Sequence, residues 1–186
     1  MGEVRQSECR EHRNLSEVGA NFLGKETLKI VFVCVENARR SQMAEEFANA
    51  FGQGKLEVYS AGSRPSLEID PLVIEVMKEK GIDLTAKRPK GLNDLPPIEM
   101  DNLITMGCEE TCPAVPTKKI IEWEIPDPEG KSIDVFRNIR DMVEGRVRAL
   151  LKEIESMQAL NFGNPAIFHL TVSAFTFEIF FSPQLF

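Results

Sequence analysis

An α/β fold, built on a small four-stranded parallel sheet with helices on both faces, is the architecture this sequence predicts. Three observations carry it. Short apolar, β-branched runs of strand length recur along the chain. The stretches between them carry helical periodicity or helix end signals. The two kinds alternate, as right-handed strand–helix–strand crossovers require.

Residues 28–34, LKIVFVC, form the first strand, apolar enough to be buried on both sides. From Arg40 the period changes: Met43, Phe47 and Phe51 recur every fourth residue and mark one face of a helix. LEVYSAG, residues 56–62, is a second strand ending in glycine. Residues 70–81 carry an N-cap aspartate (Asp70), a proline at the first helical position (Pro71) and a closing Gly81. NLITMG (102–107) predicts a third strand and KIIEWEI (119–125) a fourth. Ser132 then opens a long helix with Ile133, Phe136, Ile139, Val143, Val147, Leu150 and Ile154 on one side. The domain so defined runs from 28 to 156. Residues 1–27 are charged and aperiodic, a loose N-terminal extension. Residues 157–186 are rich in phenylalanine, with Phe175, Phe177 and Ile179 alternating with Thr176 and Glu178 as in a strand.

Composition narrows the chemistry. With 42% hydrophobic and 27% charged residues, the 186-residue chain has enough apolar content for a core. A net charge of −7 points away from nucleic acid, so any anion must be held by a local device. No secretory leader is visible, and the longest apolar stretch, PAIFHLTVSAFTFEIFF, is too short and too interrupted for a membrane span. The expected setting is therefore a reducing cytoplasm, with no membrane partner. There, clustered cysteines are more often catalytic or metal-binding than structural. The only histidines, His12 and His169, lie in the extensions, so zinc is a poor explanation for Cys34, Cys108 and Cys112. Cys9 has no evident role.

In open parallel sheets, ligands bind beyond the carboxyl ends of the strands. Cys34 ends the first strand, Gly107–Cys108 the third, and Asp127 follows the fourth. Between Cys34 and Arg40 stand Val35, Glu36, Asn37, Ala38 and Arg39. A strand-to-helix loop of this kind aims backbone N–H groups and a helix N-terminus at one point, forming an anion cradle. Arg40 can bind two oxygens of a tetrahedral oxyanion. The same field favours a thiolate at Cys34, Ser41 can donate to it, and Asn37 tolerates the positive φ of a tight loop. A cysteine and an arginine at this spacing alone would be unremarkable, an ordinary core thiol and a solvated charge. Together with the strand, Asn37, Ser41 and the helix, they read as a nucleophile beneath an oxyanion seat.

CVENARRSQMAE (34–45) resembles the active-site loop of the low-molecular-weight protein tyrosine phosphatases. It is closer still to that of the thioredoxin-coupled arsenate reductases of the same superfamily. The likeness extends through LITMGCEETCP, WEIPDPEGK and FRNIRDMVEGRVRALL, in order, from Leu28 to Ser156. The chain departs from the family pattern at Glu36, where Gly or His is usual, and at Arg39, where Cys or Gly is usual. The resemblance implies the family's fold and two alternative activities. As a reductase, Cys34 would attack arsenate, Cys108 would attack Cys34 as arsenite leaves, and Cys112 would attack Cys108; a thioredoxin-like protein would then reduce the Cys108–Cys112 bond. As a phosphatase, Cys34 would form a phosphoenzyme with Asp127 as general acid. The resemblance requires no cofactor but extends to a potassium ion beside the loop, near Asn37, Glu45 and Ser60. Glu129 and Gly130 stand where phosphatases carry ring-gripping aromatics, and only a reductase needs Cys108 and Cys112. A third reading, an oxyanion-binding module without turnover, is distinguished by failing to hydrolyse any aryl phosphate.

Overall fold

The structure, a computed structural model, describes residues 27–52, 54–107 and 115–162. Cys9, Cys108, Cys112 and nearly all of both extensions lie outside the described residues. Four parallel strands form one sheet: β1 (Leu28–Cys34), β2 (Leu56–Gly62), β3 (Met100–Thr105) and β4 (Thr117–Glu122), in the order β2-β1-β3-β4. The register pairs Cys34 with Gly62, Val33 with Thr105, and Thr105 with Glu122. The carboxyl ends of all four strands therefore share one rim.

The strand ends differ from expectation at two places. β3 begins and ends two residues earlier than the predicted 102–107, because Gly107 takes a left-handed φ of 71° that an extended strand cannot contain. β4 spans 117–122 rather than 119–125. Its first residues, Thr117, Lys118 and Lys119, pair along β3 although they carry no apolar signal, since this is an edge strand and lysines there discourage further pairing. Trp123 keeps one bond to the Thr105 carbonyl and turns its ring against Phe32 in the core, 5.6 Å between centroids.

Helices cover the two faces unequally. Helices α1 (Arg40–Gly52), α2 (Pro71–Lys78) and α3 (Ile133–Phe162) share one core with Ile30, Phe32 and Cys34 of β1. The opposite side of β1, Val31 and Val33, packs with Met100 and Leu103 beneath a single 3₁₀ turn at Leu92–Asp94 and the chain through Ile98. α3 buries Phe136, Ile139, Val143, Val147, Leu150 and Ile154, the predicted stripe, and Arg148 caps the Phe51 ring of α1 at 3.7 Å. Its backbone continues six residues past Ser156, so a boundary there would cut the helix. Among the described residues, no helix is long and apolar enough to cross a membrane.

α2 starts as its sequence dictates. The Asp70 carboxylate accepts from the Leu72 amide at 3.0 Å, a cap worth about 1 kcal/mol. The helix stops at Lys78, not Gly81, because the last turn tightens: Lys80 N–H donates to Met77 and Gly81 N–H to Lys78. Glu79 at this end accepts from Arg137 and Arg140 of α3. Hydrogen bonds first from Arg137, then from Arg140, lower its pKa from the ordinary 4.5 to about 2. A depressed carboxylate stabilises the fold above its unfolded pKa and loses that contribution as pH falls toward the folded value. The melting-temperature gap between the native chain and Glu79→Gln should therefore be largest at neutral pH and shrink between pH 4.5 and about 2, as thermal melts would show.

Candidate active site

The loop joining β1 to α1 is shaped from behind. The amides of Ser63, Arg64, Ser66 and Asp70 donate to the carbonyls of Cys34, Val35, Glu36 and Ala38, at 3.3, 2.8, 3.0 and 3.2 Å. In a trans peptide, N–H and C=O point opposite ways. Tying back these four carbonyls turns the amides of Val35, Glu36, Asn37 and Arg39 the other way. Asn37 closes the loop at φ 52°, the left-handed conformation its position requires. Gly62 makes the close approach possible: a Cβ there would stand 2.8 Å from both the Asn37 nitrogen and the Val35 oxygen.

Cys34, buried at the strand end, has its sulfur 3.0 Å from the Ser41 hydroxyl. Ser41 in turn accepts from Asn37 Nδ2 at 2.8 Å, so its own hydrogen is left for the sulfur, an arrangement suited to a thiolate. Arg40, 4% exposed, opens α1. Its Nη1 donates to the Ile125 carbonyl at 2.9 Å, and its Nη2 to Asp127 Oδ2. Its Nε is buried with no hydrogen-bond partner among the described residues. A buried guanidinium N–H without an acceptor is costly, and an oxyanion oxygen would satisfy it. Gly107 packs on this same guanidinium: a Cβ there would lie 2.6 Å from Arg40 Nη1, and its φ is already left-handed. The residue immediately before Cys108 is thus fixed as glycine by the arginine beside it.

Arg39, 7% exposed, has four carboxylates around it. Its Nε donates to Asp127 at 2.9 Å and its Nη2 to Glu36 at 2.8 Å; Glu129 stands at 3.2 Å and Asp70 at 3.6 Å. Burial opposes its charge, but Asp127, Glu36 and Glu129 outweigh burial and raise its pKa above the ordinary value. Glu36, which the sequence sets beside an anion cradle, is thereby turned onto Arg39, which it shares with three other carboxylates. Asp127 accepts from both arginines and from the Glu129 amide.

Asn37, Glu45 and Ser60 also come together, as the sequence suggested. Asn37 Nδ2 donates to Ser60 at 2.9 Å, and Ser60 donates to Glu45 Oε2 at 2.5 Å. Lys90, which sequence reasoning missed, completes the group: its Nζ lies 2.8 and 2.9 Å from the two Glu45 oxygens, and its backbone N–H donates to Asn37 Oδ1 at 2.7 Å. The backbone amides of 63–70 and the Ile125 carbonyl were missed as well, and Gly107, which the sequence set on the same rim, was not expected to pack on Arg40.

The family described as low molecular weight phosphotyrosine protein phosphatase matches residues 29–159. A glutaredoxin arsenate reductase of Synechocystis sp. is 38% identical over 129 residues, covering 68% of this chain and 98% of that protein. Among solved structures, an arsenate reductase in the phosphate binding state is 35% identical with a TM-score of 0.63, covering 68% of this chain and 98% of the other. A thioredoxin-dependent arsenate reductase of Corynebacterium glutamicum is 34% identical with a TM-score of 0.58, covering 70% of this chain and 63% of its own.

Proposed function

Because the chain belongs to the low molecular weight phosphotyrosine protein phosphatase family and closely resembles arsenate reductases within it, we propose that it reduces arsenate to arsenite in the cytoplasm. The observation that carries the reading is the buried Arg40 Nε, without a hydrogen-bond partner among the described residues, at the end of a loop that begins at the buried Cys34 and whose amides face away from their tied-back carbonyls. That constellation asks for a tetrahedral oxyanion within reach of a nucleophile.

The Cys34 thiolate attacks arsenic and expels a hydroxide, which leaves as water after taking a proton. Arg40 and the loop amides hold the remaining oxygens. Cys108 then attacks the Cys34 sulfur; the sulfur–arsenic bond breaks toward arsenic, which leaves as arsenite, reduced by two electrons. Cys112 attacks Cys108 and frees Cys34. A dithiol protein such as thioredoxin reduces the resulting Cys108–Cys112 bond, so the two electrons come from outside the chain. Asp127 accepts from both arginines, which orients Arg40, and in this reading it exchanges the proton with the departing oxygen. Phosphate ester hydrolysis is the second reading, since Cys34, Arg40 and Asp127 would serve it too. The aromatics bear on this choice. Trp123 packs against Phe32 in the core, and Tyr59 stands mid-strand opposite Val31 with its ring against the Val31 and Val33 cluster, away from the carboxyl-end rim.

One preparation assayed two ways tests the proposal. Arsenate with NADPH, thioredoxin reductase and thioredoxin should release arsenite over many turnovers, while hydrolysis of an aryl phosphate stays slow. A parallel arm with glutaredoxin and glutathione identifies the donor. Brisk aryl phosphate hydrolysis without arsenate turnover would replace the reductase with a phosphatase. Oxyanion binding with neither activity would replace both with a binding module.

A further inference from the structure

The oxygens of Asn37, Glu45 and Ser60 do not fit a potassium ion, because an ammonium already bridges both Glu45 oxygens and Asn37 Oδ1 already accepts two hydrogen bonds. Asn37 Oδ1 accepts from Gln42 Nε2 and from the Lys90 amide. Ser60 Oγ accepts from Asn37 and spends its hydrogen on Glu45. Both Glu45 oxygens accept from the Lys90 ammonium. An alkali cation here would have to displace that ammonium or stand beside it, charge against charge.

We propose that Lys90 is a built-in cation that takes the place of an alkali metal beside the catalytic loop and, as a positioning residue, sets the orientation of the groups that end at Cys34. It acts through two separate atoms. The ammonium pairs with Glu45, which is 5% exposed and would otherwise be a buried carboxylate hydrogen-bonded to Ser60, with Lys87, itself paired to Glu46, the other cation acting on it. Glu45 then takes the Ser60 hydrogen, leaving Ser60 Oγ to accept from Asn37. The Lys90 backbone N–H can only donate, so the Asn37 atom facing it must be the carbonyl oxygen. That choice turns Asn37 Nδ2 toward Ser60 and Ser41, and Ser41 toward the Cys34 sulfur. The line from ammonium to sulfur is continuous: Lys90, Glu45, Ser60, Asn37, Ser41, Cys34. The ammonium reaches Glu45 from the surface, the lysine side chain being 37% exposed, so a cation from solvent could enter if it were removed.

The inference rests on reading Cys34 as the nucleophile, and its test separates the two. Native protein, Lys90→Ala and Lys90→Arg are compared in potassium and sodium chloride at equal ionic strength, by thermal melting and by turnover. The native chain should give the same melting temperature and the same turnover in both salts. Lys90→Ala should lose roughly tenfold in turnover in sodium, the scale seen when a partner of an active-site ligand is removed. Potassium should restore several-fold of that loss and raise the melting temperature of this variant alone. Lys90→Arg should resemble the native chain in both salts. Potassium stimulation or stabilisation of the native chain would overturn the proposal. So would a Lys90→Ala variant that matches the native chain, or one whose loss no cation relieves. The native-chain comparison needs no variant to fold. The melting comparison needs no turnover, so a chain inactive on arsenate refutes the reductase reading while the Lys90 question is still decided.

Discussion

Cys34→Ser should abolish arsenate turnover and aryl phosphate hydrolysis together, by on the order of 10⁴-fold or more, while sulfate or phosphate should still bind. The asymmetry follows from where the parts of the site come from. The cradle is made of loop amides whose carbonyls are held by Ser63, Arg64, Ser66 and Asp70, and none of these bonds involves the sulfur. The serine hydroxyl keeps a partner in Ser41 but is no nucleophile at neutral pH without a base. Arg40→Lys should produce the complementary result. A point charge cannot serve Ile125, Asp127 and an oxyanion at once, so binding and turnover fall together. Calorimetric titration with sulfate, beside both activity assays, checks the pair. Cys34→Ser activity within tenfold of the native chain would refute the mechanism.

Much of this was legible beforehand because its signals are local. Cys34, Asn37, Arg40 and Ser41 fall within eight consecutive residues, and a strand run before them and a helical period after them fix how they face one another. The boundaries of β1 and β2 were readable for the same reason. β4 was placed two residues late at its start because an edge strand does not need to be apolar, and Thr117 and Lys118 hide it. The end of α3 was misplaced because backbone hydrogen bonds continue after the buried stripe has finished at Ile154. What stayed invisible is mostly backbone: the four amides behind the loop and the Ile125 carbonyl can come from any residue type. Lys90 was invisible for another reason. It is one lysine among many, 45 positions from its carboxylate partner, and only the parallel crossovers bring them together.

Cys108→Ser should stop arsenate reduction after at most one event per molecule, and Cys112→Ser should accumulate a Cys34–Cys108 disulfide. Neither should remove aryl phosphate hydrolysis, because Cys34, Arg40 and Asp127 are untouched. The reasoning is electron bookkeeping: hydrolysis moves no electrons, whereas reduction needs two from thiols, and a missing relay member strands them. Rapid-quench measurement of arsenite per protein gives the stoichiometry, and mass spectrometry of the alkylated protein identifies the bond. Normal cycling in both serine variants would exclude the Cys108–Cys112 relay and require an external thiol to reduce Cys34 directly.

The strand order has a consequence for how the protein is born. β1 carries the nucleophile, yet both its neighbours, β2 and β3, lie later in the chain. As the polypeptide leaves the ribosome, the Cys34 strand waits with both edges unpaired until residue 62 has emerged for one side and residue 105 for the other. Asp127 and the Ile125 carbonyl, which complete the seat around Arg40, come later still. Pairing of this kind joins distant segments and is slow compared with helix formation. The Cys34 sulfur is therefore buried only once the sheet has closed, and a half-made chain exposes it to whatever oxidant is present. In refolding experiments, recovery of turnover should lag recovery of helical signal, and a reducing environment during synthesis should protect yield as much as it sustains the catalytic cycle.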